Sequence, residues 1–267
     1  MSPENALEKY GPWAVITGGS DGIGEGFARQ LAAVGINLLL VSRSAAKLSA
    51  LADAVRADFG VEVRTLAADL SEESALPAIK QAAEGLEVGL LVCNAGAVFG
   101  TGRFLRSELA DIEKTMRLNN WTHATLSHHF GRPMLERGRG GIVLIGSMAG
   151  NAGGASTVLY GAGKAFAQIF AEGLWSEVKS KGIDVLYVVV GAVDTPKRQS
   201  LGIEDSPDQF VANPADVARE ALEALPEGPV LVPRHLQEDF AYFSGAPRRE
   251  AAEAMTAMLK GFPRKKG

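Results

Sequence analysis

Near the N-terminus the chain passes from an apolar run, through a glycine-rich loop, into a helical pattern, and few folds accept that order. Tyr10-Gly11-Pro12-Trp13-Ala14-Val15-Ile16-Thr17 reads as a strand buried on both faces. Ile23 to Val34 reads as a helix with Phe27, Leu31 and Val34 on one side. Glycines at 18, 22 and 24 let the intervening backbone turn sharply and approach a pyrophosphate resting on the helix N-terminus. The spacing is G-x-x-x-G-x-G rather than the commoner G-x-G-x-x-G, and an ordinary strand-to-helix turn would also use glycine. What singles this loop out is its place as the first unit of a chain that keeps alternating apolar runs with helical stretches. That alternation predicts an α/β fold, a doubly wound parallel sheet with helices on both faces.

Composition narrows the reading. With 267 residues, 46% of them apolar, the chain has enough material for one domain spanning 1–267. Net charge is −4 and the basic residues are dispersed, which argues against a nucleic-acid partner; Arg264-Lys265-Lys266 reads as a solvated tail. The single cysteine, Cys93, excludes an internal disulfide and falls in an apolar strand. Four histidines, His128-His129 among them, lack ligand partners at metal spacing, so no metal site is expected. The opening Met1-Ser2-Pro3-Glu4-Asn5 shows no signal pattern. The longest apolar stretch, Leu31 to Val41, is too short to cross a bilayer and contains Gly35 and Asn37. The expectation is a soluble cytoplasmic protein with no membrane partner.

A second cluster carries chemistry. Gly141-Ile142-Val143-Leu144-Ile145-Gly146-Ser147 is a short apolar strand ending in a serine, and in open α/β sheets the reacting groups gather at the carboxyl ends of strands. Tyr160 and Lys164 are i and i+4 on the helical stretch that follows, hence on one face. A phenol of pKa about 10 is a poor acid near neutrality, and an adjacent ammonium favours its ionised form. Ser147 would hold a carbonyl oxygen while Tyr160 exchanges a proton with it. A serine capping the next helix would look similar, but Asn151 to Ser156 separate Ser147 from the helix bearing Tyr160.

Thr17 through Gly24, Asn94-Ala95-Gly96, Ser147, Tyr160 and Lys164 together resemble the short-chain dehydrogenase/reductase family, in its order and near its spacings, over roughly residues 10 to 235. The resemblance implies a Rossmann-like domain of about seven strands, a nicotinamide cofactor and a Ser-Tyr-Lys site supported by an asparagine. Asn119 and Asn120 both occupy that asparagine's region; counting back from Met134 favours Asn119, which would link Lys164 to water. It further implies that Gly18, Ser20, Asp21, Gly22, Ile23 and Gly24 cradle the cofactor. Asp69 would bond the adenine amine, and Leu70 would offer a backbone contact. Asn94, Ala95 and Gly96 would line the cofactor, Lys164 would bond its ribose beside Tyr160, and Gly191, Val193 and Thr195 would reach the nicotinamide amide and phosphates. Val190 stands where the family has proline. Relatives pair through the helices after Phe104 and around Tyr160, which implies a homodimer or homotetramer.

Cofactor choice follows from Ser42-Arg43-Ser44 after the second strand, Ile36 to Val41. An NAD-binding chain places a carboxylate here, whereas Arg43 suits a 2′-phosphate and Ser42 removes the repulsion. NADP(H) is expected over NAD(H), with Lys47 read as a solvated helix residue and Asp21 as unhelpful. The stretches Lys9 to Thr17 and Gly85 to Val92 are similar to the branch holding 17β-hydroxysteroid dehydrogenases and very-long-chain 3-oxoacyl-CoA reductases. That implies a hydrophobic ketone or β-ketoacyl substrate. Contacts to it should come from 97–105, 150–159 and a lid at 194–213, with Asn213-Pro214 opening the next helix and another helix over 247–260. Two other readings stand beside this one: a sensor or scaffold that binds NADPH with little catalysis, and an isomerase or dehydratase on the same fold.

Overall fold

The protein is described by a computed structural model covering residues 3–99, 103–200 and 210–259. In chain order the elements are α1 (Pro3–Tyr10), β1 (Trp13–Thr17), α2 (Gly22–Ala33), β2 (Asn37–Ser42), α3 (Ala45–Phe59), β3 (Val63–Ala67), α4 (Ala75–Ala82) and β4 (Val88–Cys93). They continue as α5 (Leu109–Met116), α6 (Thr122–Arg137), β5 (Gly140–Ile145), α7 (Val158–Val178), β6 (Ile183–Val188), β7 (Ala192–Val193) and α8 (Pro196–Ser200). The last are β8 (Val211–Ala212), α9 (Pro214–Ala224), β9 (Val230–Leu231), α10 (Gln237–Gly245) and α11 (Arg248–Met258). Seven strands form one parallel sheet in the order β3-β2-β1-β4-β5-β6-β9, the doubly wound arrangement expected; β7 and β8 pair separately.

Strand alternation divides the core. Val15, Leu39, Leu91, Ile142 and Val185 face a layer containing α4, α6 and α7, while Ile16, Leu40, Leu90, Val143 and Leu186 face α2, α3 and α9. Because both faces are covered, successive residues are all apolar, which is why the strands read as unbroken runs.

Departures from expectation have local causes. β3 ends at Ala67, where Asp69 Oδ1 accepts from the Ser71 amide (2.9 Å) and hydroxyl (2.7 Å) and turns the chain. Asn213 does cap α9, accepting from the Ala215 amide at 2.8 Å with Pro214 in the first turn. The expected lid is described at its two ends as β7, α8 and β8; 201–209 lie outside the described residues, as do Lys260 and the basic tail. α1 and α10 were not foreseen. α1 docks against the sheet through Tyr10, 2% exposed, whose hydroxyl donates to Asp184 Oδ2 at 2.6 Å, with Lys9 on the same carboxylate. Tyr10→Phe should cost about 1 kcal/mol of stability, the usual net worth of such a bond, measured by urea unfolding.

Candidate active site

The site is assembled where β1, β4 and β5 end. β5 delivers Ser147 in extended conformation, and its hydroxyl accepts from the Ala149 amide at 3.2 Å. Ser147 is therefore a cap after all, of the single 3-10 turn Met148–Gly150 and not of α7. Beside it Tyr160, in the first turn of α7, sits with its hydroxyl enclosed although the residue as a whole is half-buried. That burial pushes its pKa up, and hydrogen bonding with the Ser147 side chain draws it back down.

Lys164 is 3% exposed, and Nζ donates to the Ile145 carbonyl at 2.5 Å. Its ammonium lies 5.6 Å from the Tyr160 ring centre. Desolvation pulls its pKa down to about 8, partly opposed by Cys93. In the folded chain burial raises the Tyr160 pKa, and Ser147 is the group that lowers it.

Asn119 is fully buried in a π-helical turn, Arg117–Trp121, joining α5 to α6. Its Nδ2 donates to Ala97 O (2.7 Å) and Thr115 O (2.9 Å), and Oδ1 accepts from the Ala97 amide (3.3 Å). The side chain braces the helical turn against the loop after β4. Asn120 Oδ1 is buried with no partner among the described residues.

The glycine loop is shaped for close approach. A Cβ on Gly24 would lie 2.1 Å from Gly18 O, and Gly18 itself has φ +65°. Asp21 occupies the N-cap of α2 without using its side chain there, leaving the first helical amides, including that of Ile23, without a side-chain acceptor. Asn94 Nδ2 donates to Gly18 O (3.0 Å), while the Asn94 and Ala95 amides donate to Thr17 Oγ1, binding the ends of β1 and β4 together. Thr195 caps α8 and its methyl packs against Gly22, bringing the loop that holds Gly191 and Val193 over the glycine loop.

Ser42 Oγ donates to Ser20 Oγ at 2.8 Å, and Arg43 is exposed beside them. Asp69 is pushed up by burial, but the Ser71 bonds, Arg43 and Lys114 together hold it below the usual carboxylate range. Lys47 is not merely solvated: its Nζ lies 2.7 Å from Asp21 Oδ2, so the acid of the glycine loop carries its own counter-ion.

Comparison with known proteins agrees with this geometry. The family described as short chain dehydrogenase matches residues 12–205. The chain belongs to the short-chain dehydrogenase/reductase family. It is 33% identical over 229 residues to a very-long-chain 3-oxoacyl-CoA reductase-like protein of Arabidopsis thaliana, covering 82% of this chain and 72% of that one. It is 31% identical over 257 residues to a 7beta-hydroxysteroid dehydrogenase of Clostridium sardiniense, covering 95% and 93% respectively. A short-chain dehydrogenase from Sphingobium yanoikuyae, solved in complex with NADPH, superposes with TM-score 0.78 at 30% identity, covering 96% of this chain and 98% of that one.

In this short-chain dehydrogenase/reductase a residue that the sequence did not reveal holds Ser147 in place. Tyr187 of β6 is fully buried; its hydroxyl accepts from the Ser147 amide at 3.1 Å and lies 3.4 Å from the Ser147 carbonyl. It reaches there only because residue 146 is glycine: a Cβ would fall 2.1 Å from the Tyr187 ring. Set in an apolar strand, Tyr187 looks like any core residue in the sequence. Of the expected substrate segments, Val98, Phe99 and Phe104 line a small cleft with Ser107 and with Ser156 to Leu159, the residues just before Tyr160. α11 packs over the loop leading into that cleft, with Thr256 Oγ1 accepting from the Ala155 amide at 3.0 Å and Met255 against Gly154.

Tyr187→Phe leaves the Ser147 amide without its acceptor, so stability should fall by about 1–2 kcal/mol by urea unfolding. Lys164→Met removes a buried charge, so stability at pH 7 should rise, by about 1 kcal/mol or more. Its size depends on pH. A lysine of lowered pKa penalises the fold fully below about pH 8, and the penalty is relieved between there and its unfolded value. The gain from Lys164→Met should therefore shrink as pH rises from about 8 toward 10 in thermal melts.

Proposed function

We propose that the protein is an NADP(H)-dependent oxidoreductase interconverting a ketone and a secondary alcohol on a hydrophobic substrate. The observation that carries this reading is the meeting of Ser147, Tyr160 and Lys164 at the end of β5, opposite a glycine loop whose α2 amides lack side-chain partners. Those residues suit a nicotinamide dinucleotide: Gly18 to Gly24 for the pyrophosphate, Asp69 with its Oδ2 available for adenine, and Arg43 with Ser42 for a 2′-phosphate. The NADPH complex of the Sphingobium relative supports the cofactor choice, as does the neutralisation of Asp21 by Lys47.

The bound nicotinamide supplies or accepts the hydride. Ser147 orients the substrate oxygen, and Tyr160 gives up its proton to that oxygen in reduction or takes it in oxidation. Burial keeps Tyr160 protonated, which suits it as the acid for reduction. Lys164 contributes a positive charge within reach of the Tyr160 ring and bonds the cofactor ribose. The likeness to a very-long-chain 3-oxoacyl-CoA reductase-like protein and to a 7beta-hydroxysteroid dehydrogenase supports a hydrophobic ketone or a 3-oxoacyl thioester. Cytoplasmic location and a homodimer or homotetramer complete the proposal. Exposed Trp121, just before α6, and exposed Phe166 and Ile169 on α7 support self-association.

The test is NADPH oxidation against β-ketoacyl thioesters, ketosteroids and aromatic ketones, with NADH in parallel. Turnover of one class, faster with NADPH, is expected; tight NADPH binding without turnover of any would favour a sensor. Tyr160→Phe should lower kcat by about a thousandfold, the scale of a lost general acid, with the Kd for NADPH nearly unchanged by fluorescence titration. Arg43→Ala should raise KM for NADPH by about tenfold or more while barely moving that for NADH, and equal losses would remove Arg43 from cofactor selection.

A further inference from the structure

We propose that Tyr187 is a positioning residue for this same site: its buried hydroxyl holds the backbone of Ser147 and so sets where the Ser147 side chain meets Tyr160 and a substrate oxygen. The proposal rests on the assignment of Ser147 and Tyr160 to the proposed reductase chemistry. Sheet pairing alone does not fix Ser147, which lies beyond the last residue of β5. The amides on either side of it find carbonyls in the neighbouring segment: Gly146 N–H donates to Val188 O at 2.8 Å and Met148 N–H to Val190 O at 3.0 Å. On the other side, the pairing of β5 with β4 stops at Leu144 opposite Cys93. Between them the Ser147 amide takes a side-chain acceptor instead, the Tyr187 hydroxyl at 3.1 Å.

Tyr187 suits that task. It is fully buried, and burial pushes its pKa up, so the phenol keeps its proton. A protonated phenol accepts and donates at once. Its oxygen receives the Ser147 N–H, and its O–H is directed to the Ser147 carbonyl at 3.4 Å. The ring arrives over Gly146, where a Cβ would fall 2.1 Å from Cζ and 2.4 Å from the phenol oxygen. With its backbone held in extended conformation, Ser147 has its side chain left for other partners. Oγ accepts from the Ala149 amide at 3.2 Å and hydrogen-bonds with Tyr160, which lowers the pKa of that phenol against the effect of burial. Tyr187 therefore acts on Tyr160 through Ser147. It also senses the charge of Tyr160 directly, so a test has to separate the two routes.

The experiment reads the Tyr160 phenol by carbon NMR at pH 7, without cofactor, in protein labelled at tyrosine Cζ. The chain has four tyrosines, and the Tyr160 signal is assigned by its loss in Tyr160→Phe. Ser147→Ala removes the hydrogen bond and should displace the signal. Tyr187→Phe should move it in the same direction by a comparable amount, and adding that change to Ser147→Ala should move it no further. A signal that either single variant leaves in place, or that the two move in opposite directions, overturns the proposal. So does an undiminished effect of Tyr187→Phe in the Ser147→Ala background, which would mark a direct action of the lost hydroxyl on Tyr160. With the fastest-reduced ketone, Tyr187→Phe should lower kcat by about tenfold and leave KM for NADPH nearly unchanged, because the fault is one of placement. A raised KM for NADPH with kcat intact overturns the proposal as well. If circular dichroism shows Tyr187→Phe unfolded, Tyr187→Met, whose flexible apolar side chain fills the space without a hydroxyl, is judged by the same criteria. The spectra need no turnover, so a parent protein inactive toward every ketone would count against the reductase reading and leave this result interpretable.

Discussion

One ammonium group, withdrawn almost completely from water at the end of β5, is the constraint around which this site is arranged. A charge in that position is tolerated only where oriented dipoles replace solvent. The Ile145 carbonyl, the last of its strand, provides one of them. Small residues on the inner face of α7, Gly161 and Gly163 among them, allow the helix to bring Lys164 that close. The penalty appears in the lowered lysine pKa, and a chain selected for stability alone would have filled the space with an apolar side chain. That it holds lysine, one helical turn beyond a buried phenol, points to chemistry at this position.

Residues assigned to chemistry here also hold the fold, and the two roles draw on different atoms. Ser147 uses a lone pair to cap a 3-10 turn and keeps its hydroxyl directed toward Tyr160. Asp69 uses Oδ1 to end β3 and leaves Oδ2 for another partner. Asn94 spends its amide on Gly18 O, which fixes the loop that the pyrophosphate would approach. Asn119 spends both amide hydrogens on Ala97 and Thr115 and one lone pair of Oδ1 on the Ala97 amide. Counting hydrogen-bond capacity atom by atom separates what a residue gives to bracing from what it keeps for chemistry.

The same accounting shows why some of this was legible beforehand and some was not. Strands and helices near the N-terminus announce themselves, because a sheet covered on both faces demands continuous apolar runs and α2 needs a striped face. Ser147, Tyr160 and Lys164 lie within eighteen residues and carry their meaning in local spacing. Tyr187 acts on Ser147 from forty residues away, from a strand position that any core residue could fill, so no local pattern marks it. α10 escaped because its mixed polarity follows no stripe. The burial that raises the Tyr160 pKa escaped for a related reason: proximity to lysine is local, whereas burial is a property of the assembled fold.

Charge around the second strand shows how tertiary pairing can reverse a reading made one residue at a time. Asp21 alone would repel a 2′-phosphate, and Lys47 alone would look like ordinary helix surface. Joined at 2.7 Å across the turn, they cancel, and the field above Ser42 and Ser20 is left to Arg43. Arg43 is exposed and also acts on Asp69, so it sits between the positions proposed for the ribose phosphate and for the adenine. An exposed guanidinium interacts weakly with a distant charge through water, but a bidentate contact with a phosphate is short and directional. Preference for the phosphorylated cofactor therefore depends on direct contact at one residue rather than on the sum of nearby charges.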